Sequence, residues 1–147
     1  MASIISHVAV PISFRLGLGR EVISARLLRL GAYLSMVPDA DVIAFKFGIP
    51  YESQWGHRGF SHSILIALTV SVIFPFFSKQ LHAKPVTIFL VCFFSMLSHG
   101  LLDAATNGGL GVAIFWPFDN ERYFLPWNNI EVSPIGAAAF LSKRGLV

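Results

Sequence analysis

The chain has 147 residues, of which 54% are hydrophobic and 13% are charged, and its mean hydropathy is +0.66. This composition is too apolar for an ordinary soluble surface, and the formal net charge of +3 is too small to favour nucleic-acid binding. The single cysteine, Cys92, excludes an internal disulfide and cannot form a cysteine-based zinc site alone. We therefore expect one membrane-embedded domain, residues 1–147, folded as an all-α, up-and-down bundle of about four helices.

Two moderately apolar helices are predicted first, over residues 3–18 and 22–36. Pro38 ends the second helix, because proline disfavours a helical conformation in the residue before it. A connecting loop is predicted over residues 41–59, with room for a short helical turn at residues 42–47.

The third and fourth predicted helices, residues 60–78 and 85–105, are the most apolar part of the chain. Both are close to the length of about 20 residues that a membrane crossing needs. Pro75 predicts a kink or an early end in the third helix. The alternative is a pair of buried helices in a soluble bundle.

From Thr106 the sequence becomes rich in Asn, Gly, Pro and aromatic residues. This composition predicts an irregular, aromatic-rich C-terminal segment at the membrane interface, where Trp and Tyr are favoured. Residues 135–141 could begin a fifth helix.

Residue types that bind metal ions recur near the predicted helix ends. His99 and Asp103 are four residues apart on the fourth helix, so both side chains leave the same face. An ionisable pair in so apolar a stretch is costly unless it is compensated, and a bound metal ion is one compensation. Imidazole and carboxylate together suit zinc or another divalent transition metal. The other candidate ligands are His7, Asp39, Asp41, His57 and His62.

Each of these candidates also has a purely structural interpretation. A lone histidine such as His7 is more often a hydrogen-bonded core residue, and Asp39 or Asp41 alone would suit the cap of a turn. His99 and Asp103 could pair with each other, the carboxylate orienting the imidazole.

The segment His-Arg-Gly-Phe-Ser-His-Ser, residues 57–63, is less ordinary. Ser61 or Ser63 can cap the helix that follows, but capping requires neither His nor Arg. Arg58 could bind a phosphate through two parallel hydrogen bonds. Its alternative partners are a lipid headgroup or a neighbouring aspartate.

The predicted helix ends sort the candidate ligands to one end of the bundle and the basic turns to the other. The positive-inside rule places basic turns in the cytoplasm, so we expect the site on the non-cytoplasmic side. The basic residues in question are Arg15, Arg20, Arg26, Arg29, Lys79, His82 and Lys84.

Four motifs and an early histidine carry a resemblance to a known family. The motifs are Pro-Asp-x-Asp, His-Arg-Gly-x-Ser-His-Ser, His-x-x-x-Asp and Phe-Trp-Pro-Phe. From His7 to about Phe118 the chain resembles the YdjM family of bacterial inner-membrane proteins, which are described as metal-dependent hydrolases. More distantly it resembles the all-helical zinc-dependent phospholipase C and P1 nuclease group, although it lacks a later His-x-x-x-Glu motif.

The resemblance implies a set of ligands. His99 and Asp103 would bind the metal, with one histidine of the 57–63 segment and one aspartate of Pro-Asp-x-Asp completing the set. Because the His-x-x-x-Glu motif is missing, we expect one or two ions, with zinc favoured, rather than three. The chain also ends sooner than the family implies, so we expect a last membrane helix to be absent.

We therefore expect a multi-pass protein of the bacterial inner membrane that is a metal-dependent hydrolase. The favoured substrate is a phosphoester in a lipid headgroup, and membrane lipids are the expected partners. A free carboxylate, Asp39 or Asp41, would accept a proton from water, and Arg58 would offset charge on phosphate oxygens.

Two alternatives to this function stay open. One is a non-catalytic metal-binding membrane protein, such as a transporter component or an assembly factor, and the other is a soluble helical phosphoesterase. A transporter would place its ionisable residues near the bilayer midplane, so their position at helix ends favours an enzyme.

Overall fold

The computed structural model describes residues 6–132, and these residues form an all-α fold, as the sequence predicts. The α-helices are α1 (Ala9–Leu18), α2 (Ala25–Leu34), α3 (Ile64–Ser71), α4 (Ser78–Leu81) and α5 (Pro85–Ala104). The 3-10 helices are Ser6–Val8, Val37–Phe47, Phe60–His62 and Phe74–Phe77. The fifth helix predicted at residues 135–141 lies outside the described residues.

The start of α2 meets the turn between α4 and α5 at the basic end of the bundle. The Ser24 hydroxyl caps α2 by accepting the Leu27 N–H at 3.1 Å, and it donates to the carbonyl of Leu81. Arg26 Nη1 donates to the Gln80 carbonyl at 2.8 Å. The two basic turns therefore lie at the same end, as the helix order predicts.

Two helical stretches, Ile64–Leu81 and Pro85–Ala104, are long and apolar enough to cross a membrane. The first is interrupted, because α3 ends at Ser71 and 3-10 geometry follows at Phe74–Phe77, where Pro75 offers no backbone N–H. The interruption predicted at Pro75 is therefore present. Only 11% of this first stretch is buried, against 39% of the second, so it presents its apolar side chains outward.

Helix α5 is the central element and packs against α1, α2 and α3. Close approach between helices depends on Gly31 of α2, because a Cβ added there would lie 3.1 Å from both Pro11 Cβ and Ser95 Oγ. The Cys92 thiol lies in the buried core. The core cluster consists of Ile23, Leu27, Leu34, Ala67, Ile88, Val91, Cys92 and Met96.

The segment that follows α2 differs from the prediction. Its first part, Val37–Phe47, is a 3-10 helix that begins before the predicted turn at residues 42–47, and this length is unusual for 3-10 geometry. Pro38 sits in its first turn, where a backbone N–H would have no helical partner. After α5, isolated bridges join Thr106 to Ile130 and Val112 to Tyr123, and the described tail is otherwise irregular, as predicted.

Candidate metal centre

Four side chains from separate segments converge at the end of the bundle away from the basic turns. Asp39 comes from the long 3-10 helix, His62 from the short one before α3, and His99 and Asp103 from the last turns of α5. One donor atom of each lies within 4.8 Å of the other three. The last three residues are buried, whereas the Asp39 side chain is 20% exposed. We call these four residues the donor group.

The spacing within the donor group is close to that of ligands around one ion. His99 Nε2 lies 3.1 Å from His62 Nε2, 3.3 Å from Asp39 Oδ1 and 3.7 Å from Asp103 Oδ2. His62 Nε2 lies 3.9 Å from Asp39 Oδ1 and 3.5 Å from Asp103 Oδ2. Ligands at about 2.0–2.1 Å from a tetrahedral zinc ion stand about 3.3–3.4 Å apart. The group therefore has the composition and the dimensions of a tetrahedral site.

Hydrogen bonds on the far side of each imidazole determine which nitrogen faces the donor group. His99 Nδ1 donates to the Ser35 carbonyl at 2.7 Å. His62 Nδ1 lies 3.2 Å from Asp41 Oδ2 and 3.0 Å from Ser61 Oγ. Because the proton of a neutral imidazole would stay on Nδ1 at both positions, each Nε2 would then direct a lone pair into the group.

Asp41 lies on the Nδ1 side of His62 and is surrounded by hydrogen-bond donors. Its Oδ1 accepts from His57 Nδ1 at 2.6 Å, and its Oδ2 accepts from the Ser61 hydroxyl at 2.6 Å and from the Arg58 N–H at 3.1 Å. Burial raises the pKa of Asp41, but hydrogen bonds from His57 and His62 outweigh burial and hold that pKa well below its ordinary value. Asp41 is therefore ionised and fully hydrogen-bonded.

His7 lies beside the donor group. Its Nε2 is 3.6 Å from Asp103 Oδ1, and its ring stacks on His99 with 3.8 Å between the ring centroids. Burial, and next the charge on His99, lower the pKa of His7 to about 4, so this imidazole is neutral at pH 7. Its buried Nδ1 has no hydrogen-bond partner among residues 6–132.

Arg58 lies against Asp103 and is only 3% exposed. Its Nε is 3.1 Å from Asp103 Oδ2, and its Nη1 donates to Thr106 Oγ1 at 3.2 Å and to the Gly108 carbonyl at 2.9 Å. The backbone of Arg58 has a φ of 61°, a left-handed conformation that costs a non-glycine residue about 1 kcal/mol or more. The Arg58 N–H to Asp41 contact holds this conformation at the edge of the site.

Comparison with known proteins identifies the family. The family described as YdjM inner membrane protein matches residues 1–146. The chain belongs to this family. The Escherichia coli (strain K12) protein named inner membrane protein YbcI is 43% identical over 146 residues, which are 99% of this chain and 84% of that protein. No solved structure matches the chain.

The aspartates and histidines of Pro-Asp-x-Asp, of the 57–63 segment and of His-x-x-x-Asp all lie at this end of the bundle. Of the alternatives that the sequence left open, His62 rather than His57 and Asp39 rather than Asp41 direct an atom into the donor group. The structure also brings His57 and Asp41 into a second group with His62. All the residues predicted as ligands or catalytic groups thus lie together: His7, Asp39, Asp41, His57, Arg58, His62, His99 and Asp103.

Sequence reasoning missed several groups that shape this YdjM-family site. The Ser35 carbonyl orients His99, and no sequence pattern indicates a backbone acceptor of this kind. The sequence indicates Ser61 only as a possible helix cap, yet Ser63 caps α3 and Ser61 donates to Asp41. Arg122, from the irregular tail, donates to the carbonyls of His57, Tyr51 and Ser53 and so ties the tail to the site loop.

Gly100 of α5 allows His62 to reach the donor group, and its replacement by alanine should disturb the site. A Cβ at this position would lie 2.8 Å from the His62 carbonyl oxygen, so the 3-10 helix that carries His62 must shift. We expect Gly100→Ala to lower the free energy of unfolding by about 1–3 kcal/mol. We also expect weaker metal binding, measured by competition with a chromophoric chelator.

Gly17→Ala is the matched control for this prediction. A Cβ on Gly17 meets nothing within 4 Å, and alanine favours a helix by about 1 kcal/mol. Thermal unfolding in detergent should therefore show a loss for Gly100→Ala and none for Gly17→Ala. Equal stability and equal metal affinity in the two variants would mean that the contact with His62 is unimportant.

Proposed function

We propose that this YdjM-family protein is a membrane-bound, metal-dependent hydrolase that holds one divalent ion, with zinc favoured. The observation that carries the proposal is the spacing of the donor group, whose measured pairs lie 3.1–3.9 Å apart. Two imidazole nitrogens and two carboxylate oxygens at such distances repel one another unless a cation or a proton lies among them.

The charges at the site also support a divalent ion. Asp39, Asp41 and Asp103 bring three negative charges, and the contacting guanidinium of Arg58 brings one positive charge. When the imidazoles are neutral, as they must be to bind a metal ion, two negative charges are left uncompensated in a largely buried place. A divalent cation would cancel them, which is the usual reason that buried carboxylates cluster.

The proposed roles follow from burial. His62, His99 and Asp103 are buried and would hold the ion through Nε2, Nε2 and Oδ2. Asp39 is the most exposed member of the donor group, so we propose that its carboxylate accepts the proton of the attacking water. An ion bound there supplies Lewis acidity, which acidifies water and polarises a phosphoryl oxygen.

The main proposed role of Arg58 is its contact with Asp103. A guanidinium 3.1 Å from Oδ2 offsets the negative charge of Asp103 and limits where its carboxylate can point. We also propose that Arg58 offsets the negative charge on the phosphate oxygens of the substrate.

A phosphoester in a lipid headgroup is the substrate class we propose. The first apolar stretch begins near the site, just after His62, and the second ends there with Asp103, so lipid headgroups would lie close to the site. The tail beside the site exposes large aromatic side chains, among them Phe118 and Trp127, which suit the headgroup zone. The distant likeness to zinc-dependent phospholipase C and P1 nuclease stays a prediction.

One observation favours the alternative, a non-catalytic metal-binding membrane protein. Structural zinc sites use four protein ligands, whereas catalytic sites usually keep one position open, and the donor group offers four. The two functions therefore differ in whether Asp39 binds the ion or stands beside it.

Metal analysis of the detergent-purified protein tests the site itself. We expect about one equivalent of zinc per chain in the parent protein and little in His99→Ala, which removes an inner ligand. His82→Ala, at the exposed basic turn, is the matched control and should keep the metal. Equal metal content in all three proteins, or none in the parent, would reject the proposed site.

Metal affinity should rise with pH in a way that reflects His62. Burial lowers the pKa of His62, but hydrogen bonds to Asp103 and Asp41 raise it to about 9, so the metal-free imidazole is protonated at pH 7. Because the ion needs a neutral imidazole, binding releases this proton, and affinity should rise about tenfold per pH unit up to about pH 9.

Chelator competition between pH 6.5 and 9.5 checks this dependence. A histidine with its ordinary pKa near 6.5 would show little dependence above pH 7, so a slope that continues to pH 8.5 is specific to the raised pKa. His7, with a pKa of about 4, releases no proton in this range. A flat profile above pH 7 would contradict the prediction.

We also propose a multi-pass topology in which the basic turns are cytoplasmic and the site is not. Cysteines introduced at the exposed residues Gln80 and Gln54 report on the two ends, since the native Cys92 is buried. With a membrane-impermeant thiol reagent on intact cells whose outer membrane is permeable to it, we expect labelling at Gln54 and not at Gln80. The reverse pattern would invert the orientation.

A further inference from the structure

Asp41, His57 and His62 form a second group of possible metal ligands behind the donor group. His62 belongs to both groups, because its Nε2 faces His99 and its Nδ1 faces Asp41. The second group could hold a second ion, or it could act on His62 without any ion.

The distances in this second group are those of hydrogen bonds. His57 Nδ1 lies 2.6 Å from Asp41 Oδ1, whereas two ligands on one tetrahedral ion stand about 3.3 Å apart. Asp41 Oδ2 lies 2.6 Å from the Ser61 hydroxyl, which is again the length of an O–H to carboxylate bond. These lengths indicate that protons, rather than a second ion, lie between these atoms.

We propose that Asp41 is a positioning residue that keeps the proton of His62 on Nδ1, and that its group holds no ion. This inference rests on the proposed metal site. Asp41 is an acceptor only, so the nitrogen that faces it must carry hydrogen. The Ser61 hydroxyl donates to Asp41 and can therefore accept from His62 Nδ1 at 3.0 Å, which strengthens the same preference.

The two imidazoles of the donor group are oriented by different means. A backbone carbonyl, that of Ser35, accepts from His99 Nδ1, so no single substitution removes this acceptor. His62 depends on the side chain of Asp41. Asp41 is in turn held by His57 Nδ1 and by the Arg58 N–H, which leaves its carboxylate little freedom.

Asp41→Asn is the informative substitution, because an asparagine amide can present N–H to His62 Nδ1 and so favour the wrong tautomer. We expect one zinc ion per chain in the parent protein and about 10–100-fold weaker zinc binding in Asp41→Asn. Nitrogen-15 NMR of the zinc-loaded parent should show His62 protonated on Nδ1 and ligated through Nε2. In Asp41→Asn we expect a population with the proton on Nε2, which a loss of stability alone would not produce.

His57→Phe separates the two interpretations even if Asp41→Asn folds poorly. Phenylalanine keeps the ring contact with Tyr51, whose centroid is 5.3 Å from that of His57, but it cannot bind a metal or donate to Asp41. We expect His57→Phe to keep one ion per chain, with a loss of affinity below tenfold. Ser61→Ala should likewise keep the ion, with an affinity only a few-fold lower than that of the parent.

Two ions in the parent protein, falling to one in His57→Phe, would overturn the proposal. So would an Asp41→Asn protein whose zinc affinity and His62 tautomer match those of the parent, and both results would leave the donor group intact. A parent protein that binds no ion would instead reject the proposed metal site and this inference with it.

Discussion

Asp103→Asn is expected to lower zinc affinity by more than 100-fold, the largest effect of any substitution at the site. Asparagine has almost the same size and can keep a hydrogen bond, but it removes the anionic oxygen 3.5 Å from His62 Nε2 and 3.7 Å from His99 Nε2. It also leaves two imidazoles and a single carboxylate, Asp39, around the ion.

The same substitution leaves the guanidinium of Arg58 without its carboxylate partner, so stability must be measured together with metal content. Removing one partner of a buried ion pair costs about 3–5 kcal/mol. Circular dichroism in detergent should show that the helices persist. Asp119→Asn, at a carboxylate outside the site, is the matched control and should bind zinc like the parent. Undiminished zinc binding in a folded Asp103→Asn protein would remove Asp103 from the ligand set.

Asp39→Asn is expected to have the second largest effect, on catalysis rather than on metal content. If Asp39 takes the proton of the attacking water, its loss should lower kcat for phosphoester hydrolysis by about 10²–10⁴-fold. The buried ligands His62, His99 and Asp103 should still hold zinc, with an affinity within about tenfold of the parent.

The comparison of Asp39→Asn with Asp103→Asn separates the two candidate functions. An Asp39→Asn protein that loses zinc as fully as Asp103→Asn would make Asp39 a fourth ligand, as in a closed structural site. Together with an absence of phosphoester hydrolysis in the zinc-loaded parent, that result would favour the non-catalytic function. The assay uses mixed micelles of detergent and phospholipid, with a water-soluble phosphomonoester as the second substrate.

The sequence determined the helices and the end of the bundle at which the site forms. An apolar run of about 20 residues predicts a helix, because within a membrane a helix pairs every backbone polar group inside its own segment. In an up-and-down bundle successive turns alternate between the two ends, so the order of the motifs already assigns them to one end. Contacts of Arg26 with the Gln80 carbonyl at the other end agree with that assignment.

Only the tertiary structure decided which member of each pair of candidates faces the donor group. Asp39 and Asp41 lie in a 3-10 helix, where each residue turns about 120°, so two residues apart they point in different directions. No apolar periodicity in the sequence indicated this helix. His57 and His62 are separated by Arg58, whose positive φ reverses the chain, and no propensity predicts such a conformation for arginine.

The roles of the polar partners also depended on contacts between segments distant in sequence. The Ser35 carbonyl orients His99 across 64 residues, and Arg58 reaches Thr106 across 48. The sequence supplies the residue types that a metal site needs, whereas the proton positions and charge partners follow from packing. Packing decides them because a buried polar group must find a partner, and which partner is near is a property of the folded chain.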